Sequence, residues 1–171
     1  TMTYHDGRFA ALDIGTVTCR LLVADVEGGR VSEVAKEYAI TDLGVGVDAS
    51  GRLADDAMER VLATVDRYRG TLDRCDTDER PLRGLIAMAT SAARDAANAD
   101  EFTARLAERG VTLAVIPGER RRRSPSRGPR PTFPERICSW WISAAVRRRS
   151  WPAAGARRRW RPVPSTWAVG G

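Results

Sequence analysis

The sequence predicts an α/β protein in the order strand, strand, strand, helix, strand, helix, strand. Three observations carry that expectation. Residues 9–40 hold three apolar or β-branched runs separated by short turns, the pattern of an antiparallel meander. Within residues 54–70, Met58, Val61, Leu62, Val65 and Tyr68 recur at helical spacing. Strand and helix patterns then alternate again up to residue 116, as in a sheet layered with helices.

Residues 1–8 are polar and are expected to fray. Phe9–Ile14 and Cys19–Val26 read as two strands joined by Gly15-Thr16-Val17-Thr18. Gly28-Gly29 makes the next turn, and Val31–Ile40 alternates as a third strand. Leu43–Asp48 reads as a glycine-punctuated loop and Ala49–Arg52 as a turn. A helix follows from about Ala54 to Gly70, with Asp55 and Asp56 in its first turn and Gly70 ending or bending it. Pro81–Ala89 reads as a buried strand. Thr90 or Ser91 then caps a short helix, and Asn98 caps another over Ala99–Arg109. Val111–Ile116 closes the pattern as a strand, with Pro117-Gly118-Glu119 as a turn.

The strand-turn-strand unit around Asp13-Ile14-Gly15-Thr16-Val17-Thr18 is the principal candidate site. A glycine there lets the backbone approach a ligand closely. Successive backbone N–H groups, with the Thr16 and Thr18 hydroxyls, form an anion-binding concavity. Asp13 at the end of a buried strand demands a partner, such as a metal-bound water or a hydrogen-bond donor. A plain structural hairpin, in which Asp13 caps its own turn, also fits these residues.

Composition divides the chain near Glu119. From Arg120 onward 14 Arg face one acid, Glu135, whereas residues 1–119 carry a net charge of −7. All five Trp lie in the second part, as do seven of the nine Pro, and the single Lys lies in the first. The three cysteines, Cys19, Cys75 and Cys138, are widely spaced, without the pairing expected of a zinc site or a disulfide framework. They suit a reducing compartment. Residues 1–30 show no basic segment leading into an apolar core, and no apolar run reaches the length of a spanning helix. The expectation is a soluble cytoplasmic protein.

Four segments together resemble the exopolyphosphatase/guanosine-pentaphosphate phosphohydrolase (Ppx/GppA) family. They are Ala11–Ala24, Thr41–Asp48, Ala89–Ala96 and Val115–Glu119, in the family's order and covering residues 9–119. The resemblance implies an actin-like, ribonuclease-H-like half-domain, of the kind shared with sugar kinases and heat-shock ATPases. It implies hydrolysis of terminal phosphate from polyphosphate or guanosine pentaphosphate with Mg2+. Asp13, Gly15, Thr16 and Thr18 match the first phosphate loop, with Asp13 positioning the metal or its water. Arg20 and Arg94 match phosphate-binding arginines, whose guanidinium forks suit phosphate oxygens. Two positions depart from the pattern: Val17 stands where Asn is usual and Asp42 where Arg is common. The position of the family's water-activating Glu is Arg121, so no catalytic residue is assigned. The second phosphate loop, Asp-Ile-Gly-Gly-Gly-Ser-Thr, is missing from residues 120–171.

Those residues have three readings: a nucleic-acid arm of Arg and Trp, a disordered low-complexity tail, or a segment read out of frame. The third explains most. A codon path for Val-Asp-Ile-Gly-Gly-Gly-Ser-Thr-Glu-Val-Val-Ala-Gly, read one base later, yields Trp-Ile-Ser-Ala-Ala-Val-Arg-Arg-Arg-Ser-Trp-Pro, which is Trp141–Pro152. A similar path links Pro164–Gly170 to a further family segment, and loss of one base near Glu119 produces the Arg120–Arg123 run. The predicted organisation is a frayed residue 1–8 segment, a partial phosphatase half-domain over 9–119 and an out-of-frame, disordered tail over 120–171. Such a chain is expected to be catalytically inactive, to lack the partner that buries one sheet face, and to touch nucleic acid only non-specifically through its arginines. No membrane partner is expected. The alternatives are a fragment of a sugar-kinase-like or actin-like ATPase and a basic nucleic-acid-binding protein.

Overall fold

The computed structural model describes residues 6–114. Within them β1 (Gly7–Ile14), β2 (Thr18–Glu27) and β3 (Arg30–Ile40) form the expected antiparallel meander. After α1 (Val47–Ser50) and α2 (Asp55–Cys75), β4 (Leu82–Ala89) returns parallel to β1. Then come α3 (Ser91–Asp95), α4 (Ala99–Glu108) and β5 (Leu113–Ala114), which pairs parallel with β4. The sheet order is β3-β2-β1-β4-β5, which puts β1 at its centre, flanked by β2 and β4.

Strand alternation sorts side chains onto two faces. Ala10, Leu12 and Ile14 of β1, with Cys19, Leu21 and Val23 of β2, pack in one core with Met58, Val61, Leu62, Val65 and Tyr68 of α2. The stripe read from helical spacing is therefore the buried face of α2. Phe102 and Leu106 of α4 complete that core. Tyr68 is buried, and its hydroxyl donates to the Cys19 carbonyl at 2.8 Å. Burial disfavours its phenolate and pushes its pKa up. On the opposite face Phe9, Ala11, Leu22, Ala24 and Val26 form a second apolar cluster.

Several local expectations are corrected. Gly70 does not end the long helix, which continues to Cys75 because Thr71, Leu72 and Cys75 also reach the core side. Residues 47–50, expected to be loop and turn, form the short helix α1 between Gly46 and Gly51, both left-handed, at φ 77° and 66°. Thr90 and Asn98 occupy the N-cap positions of α3 and α4 without making side-chain caps. Asn98 instead bridges to the start of α2: its Oδ1 accepts from Leu53 N at 2.8 Å and its Nδ2 donates to Leu53 O at 3.0 Å. A buried amide gains more from satisfying two backbone groups at once than from one cap. The last strand is described only over residues 113–114. The Pro117–Glu119 turn and the disordered-tail expectation lie outside the described residues.

The end of the sheet away from the β1–β2 turn is tied by charge. Arg8 grips Asp25 with both forks, Nε to Oδ1 at 2.8 Å and Nη2 to Oδ2 at 2.9 Å, and donates to the Cys75 carbonyl at 2.9 Å. Strand β1 is thereby joined to β2 and to the C-terminus of α2.

Candidate functional site

The β1–β2 turn closes tightly. Gly15 N donates to Thr18 O at 2.8 Å. A Cβ on Gly15 would lie 2.7 Å from that oxygen, so only glycine fits here. The loop after β3 docks on the turn. Thr41 N and Asp42 N both donate to Val17 O, at 2.8 and 3.0 Å, and Gly44 N donates to Thr16 O at 2.8 Å. A Cβ on Gly44 would overlap Thr16 Cγ2, so any side chain there displaces the threonine methyl. Asp42 adopts φ 48° there, the one described non-glycine residue at positive φ.

The turn after β4 arrives beside it because β1 and β4 are parallel neighbours. Thr90 N donates to Ile14 O at 3.1 Å, and the Thr90 and Thr16 hydroxyls lie 3.3 Å apart. Two hydroxyl-bearing turns thus meet at the carboxyl ends of adjacent parallel strands, where open α/β sheets place ligands.

The remaining candidates take distinct positions. Asp13 is half-buried and lies opposite Arg20 in the β1–β2 register, so both residues are on the sheet face away from α2. Thr18 lies on that same face and Thr16 is exposed at the turn. Arg94 sits one turn beyond Thr90 on α3, with its Nε 3.0 Å from Asp95 Oδ1. That exposed pair holds the guanidinium only weakly. Gly15, Thr16 and the Thr90 turn are brought together, while Arg20 stands opposite Asp13 on β2 and Arg94 lies one turn beyond Thr90 on α3. Sequence reasoning gave Gly44 no role in supporting Thr16 and treated Thr90 as a cap; both lay inside motifs already noted, but the contacts join residues far apart in the chain. Thr41 is buried 1% exposed beneath the docked loop, and its Oγ1 has no hydrogen-bond partner among the described residues.

Among the described residues no three His, Cys, Asp or Glu side chains cluster to hold a metal ion. Magnesium does not require such a cage, since it keeps several waters and uses one or two carboxylates plus substrate phosphates. Asp13, half-buried at the strand end, fits as that single carboxylate. Cys19 and Cys75 are buried. No described helix is long and apolar enough to cross a membrane.

An antiparallel meander continued by a parallel strand, with clustered turns at the strand ends, is the half-sheet of the actin-like phosphatases. Solved structures share it at appreciable identity. The Ppx/GppA family member of Aquifex aeolicus superposes with a TM-score of 0.59 at 32% identity, covering 68% of this chain and 37% of its own. An exopolyphosphatase from Cytophaga hutchinsonii gives 0.57 at 30%, covering 66% and 35%. The family model described as the Ppx/GppA phosphatase family matches residues 22–130. The chain belongs to the Ppx/GppA phosphatase family. Exopolyphosphatase 2 of Mycobacterium tuberculosis is 39% identical over 115 residues, which is 65% of this chain and 34% of that protein. The bifunctional 3-dehydroquinate synthase/phosphatase of Fusobacterium nucleatum is 34% identical over 117 residues, 65% of this chain and 17% of the relative. The chain thus spans about a third or less of these curated relatives.

Proposed function

We propose that this chain is the N-terminal part of a cytoplasmic phosphohydrolase that releases terminal phosphate from inorganic polyphosphate, with guanosine pentaphosphate as the alternative substrate of the same chemistry. The observation that carries the reading is the meeting of the Thr16 and Thr90 turns, hydroxyl to hydroxyl at 3.3 Å, at the ends of parallel β1 and β4. Gly15, Thr16 and Thr18 cradle phosphate oxygens, and Arg20 and Arg94 supply positive charge. Asp13 would hold magnesium through a bound water, and the ion when bound would neutralise charge on the terminal phosphate. Phosphoryl transfer to water depends on such positioning and charge more than on covalent chemistry.

We further propose that the chain reads out of frame after Glu119 or Arg120, so that residues 120–171 replace the second phosphate loop and the water-activating Glu. On that account the chain itself is inactive. Restoring the frame by one base near the Arg120–Arg123 codons restores magnesium-dependent phosphate release. In the restored enzyme Thr16→Ala lowers kcat/KM on polyphosphate by about 100-fold, the scale on which a positioned donor acts. Arg94→Lys is also impaired, because an ammonium cannot reproduce a bidentate fork. A restored enzyme in which both variants keep the full rate contradicts the assignment of the cradle.

A further inference from the structure

Among the described residues, the large apolar side chains that stand in water are Val17, Val34, Tyr38, Ile40 and Val45. Four of the five border the β1–β2 turn. Val17 lies in the turn, Val45 follows the Gly44 contact that docks the next loop on it, and Tyr38 and Ile40 end β3 beside it. Tyr38 is 71% exposed and Ile40 66%.

The strand register fixes the face that Tyr38 takes. Asp13 pairs with Arg20 and Arg20 with Tyr38, so the three form one row across β1, β2 and β3. Thr18 pairs with Ile40 in the next position on the same face. Directly opposed residues share a face, with Cα atoms about 5 Å apart. Glu37 gives the same answer from the other side. Its carboxylate accepts from the Thr71 hydroxyl of α2, so Tyr38, its neighbour, faces away from α2. A phenol ring therefore stands next to Arg20, on the side away from Asp13. Lys36, two residues earlier on that face, shows the charged residue that usually guards an edge strand. Tyr38 and Ile40 break that habit only where the strand reaches the turn.

We propose, resting on the phosphate reading of the Gly15–Thr18 turn, that Tyr38 with Ile40 at its side is a stacking platform for the base of a purine nucleoside polyphosphate. The phosphates enter the turn, Arg20 meets the phosphate nearest the ribose, and the base covers the Tyr38 ring. A tyrosine offers a large flat surface at little cost in conformational entropy, and base–aromatic stacking accepts any base because every base has a π-face. An inorganic phosphate chain is charged and hydrated along its whole length and gains nothing from an apolar ring. Tyr38 is thus the residue that separates a nucleotide from inorganic polyphosphate.

The test is calorimetric titration of the full chain with Mg2+ at physiological salt, using ATP, GTP, UTP and tripolyphosphate. Tripolyphosphate has the same number of phosphorus atoms and more charge, so charge alone favours it. ATP and GTP are expected to bind about tenfold tighter than tripolyphosphate, the scale of one base–aromatic stack, with UTP between them. Tyr38→Phe keeps that advantage, and Tyr38→Ala brings nucleotide affinity down to that of tripolyphosphate. Thr16→Ala weakens both kinds of ligand, which places them at the turn and not on the arginines of residues 120–171. Equal affinity for nucleotides and tripolyphosphate, with both sensitive to Thr16→Ala, overturns the platform and leaves the phosphate turn standing. Binding that ignores Thr16→Ala overturns both. A nucleotide advantage that survives Tyr38→Ala overturns the assignment of this residue. Sedimentation that shows a dimer dispersed by Tyr38→Ala, without any nucleotide advantage, gives the patch to a second copy and overturns it as well.

Discussion

Thr16 is held from two sides, and its surroundings make separable predictions. Gly44→Ala forces a methyl against Thr16 Cγ2. It should lower stability by about 1–3 kcal/mol, the usual cost of overpacking. Thr16→Ser removes that methyl and keeps the hydroxyl, so the double variant should recover part of the loss; a thermal-denaturation double-mutant cycle reads the coupling, and additive losses would deny the contact. At the far end of the sheet, the Arg8 fork holds the Asp25 carboxyl below the usual carboxylate range. A depressed folded-state pKa contributes stability that is present above the unfolded value, about 3.9, and lost as pH falls below it toward the folded value. Asp25→Asn should therefore destabilise at neutral pH, with the gap from the unmodified chain closing below about pH 4 in denaturation midpoints. A gap independent of pH would deny the ion pair this role. Gly15 was legible in the sequence because its neighbours form an Asp-x-Gly-Thr turn. The Gly44–Thr16 contact was not, because no local pattern announces which distant residue a loop glycine will face.

The helix α2 shows how local propensity yields to packing. Gly70 suggested an end, yet apolar residues beyond it reach the core and carry the helix to Cys75. Glycine within a helix costs about 1 kcal/mol relative to alanine. A Cβ at residue 70 would meet only Arg74 Nη1 at 3.6 Å, an ordinary contact. Gly70→Ala is therefore expected to raise stability by about 0.5–1 kcal/mol in urea unfolding; destabilisation would mean that the helix bends there. The bridge from Asn98 to Leu53 gives the opposite test. Asn98→Ala leaves both Leu53 backbone groups without their partner and should cost about 1–3 kcal/mol. The helices and central strands were readable because 3.6- and 2-residue periods mark their buried faces. The two expected side-chain caps were misread, because Thr90 and Asn98 use their polar groups on tertiary partners rather than on their own helices.

At the scale of the molecule, two chemistries share one chain. Residues 1–119 carry a net negative charge and the sheet with its clustered turns, while residues 120–171 carry 14 Arg and all the Trp. The family and its fold were legible because four motifs occur in order, and the actin-like half-sheet bears them out. The burial of Phe9, Ala11, Leu22, Ala24 and Val26 on the face away from α2 was not legible: alternation marks apolar positions but does not say what lies over them. The chain's proposed inactivity follows from its lost second loop. The nucleotide sequence across the Arg120–Arg123 codons and onward tests this account most directly. The account predicts that a neighbouring frame spells Asp-Ile-Gly-Gly-Gly-Ser-Thr across the codons of Trp141–Arg148. A gene in which no frame encodes that loop would contradict it.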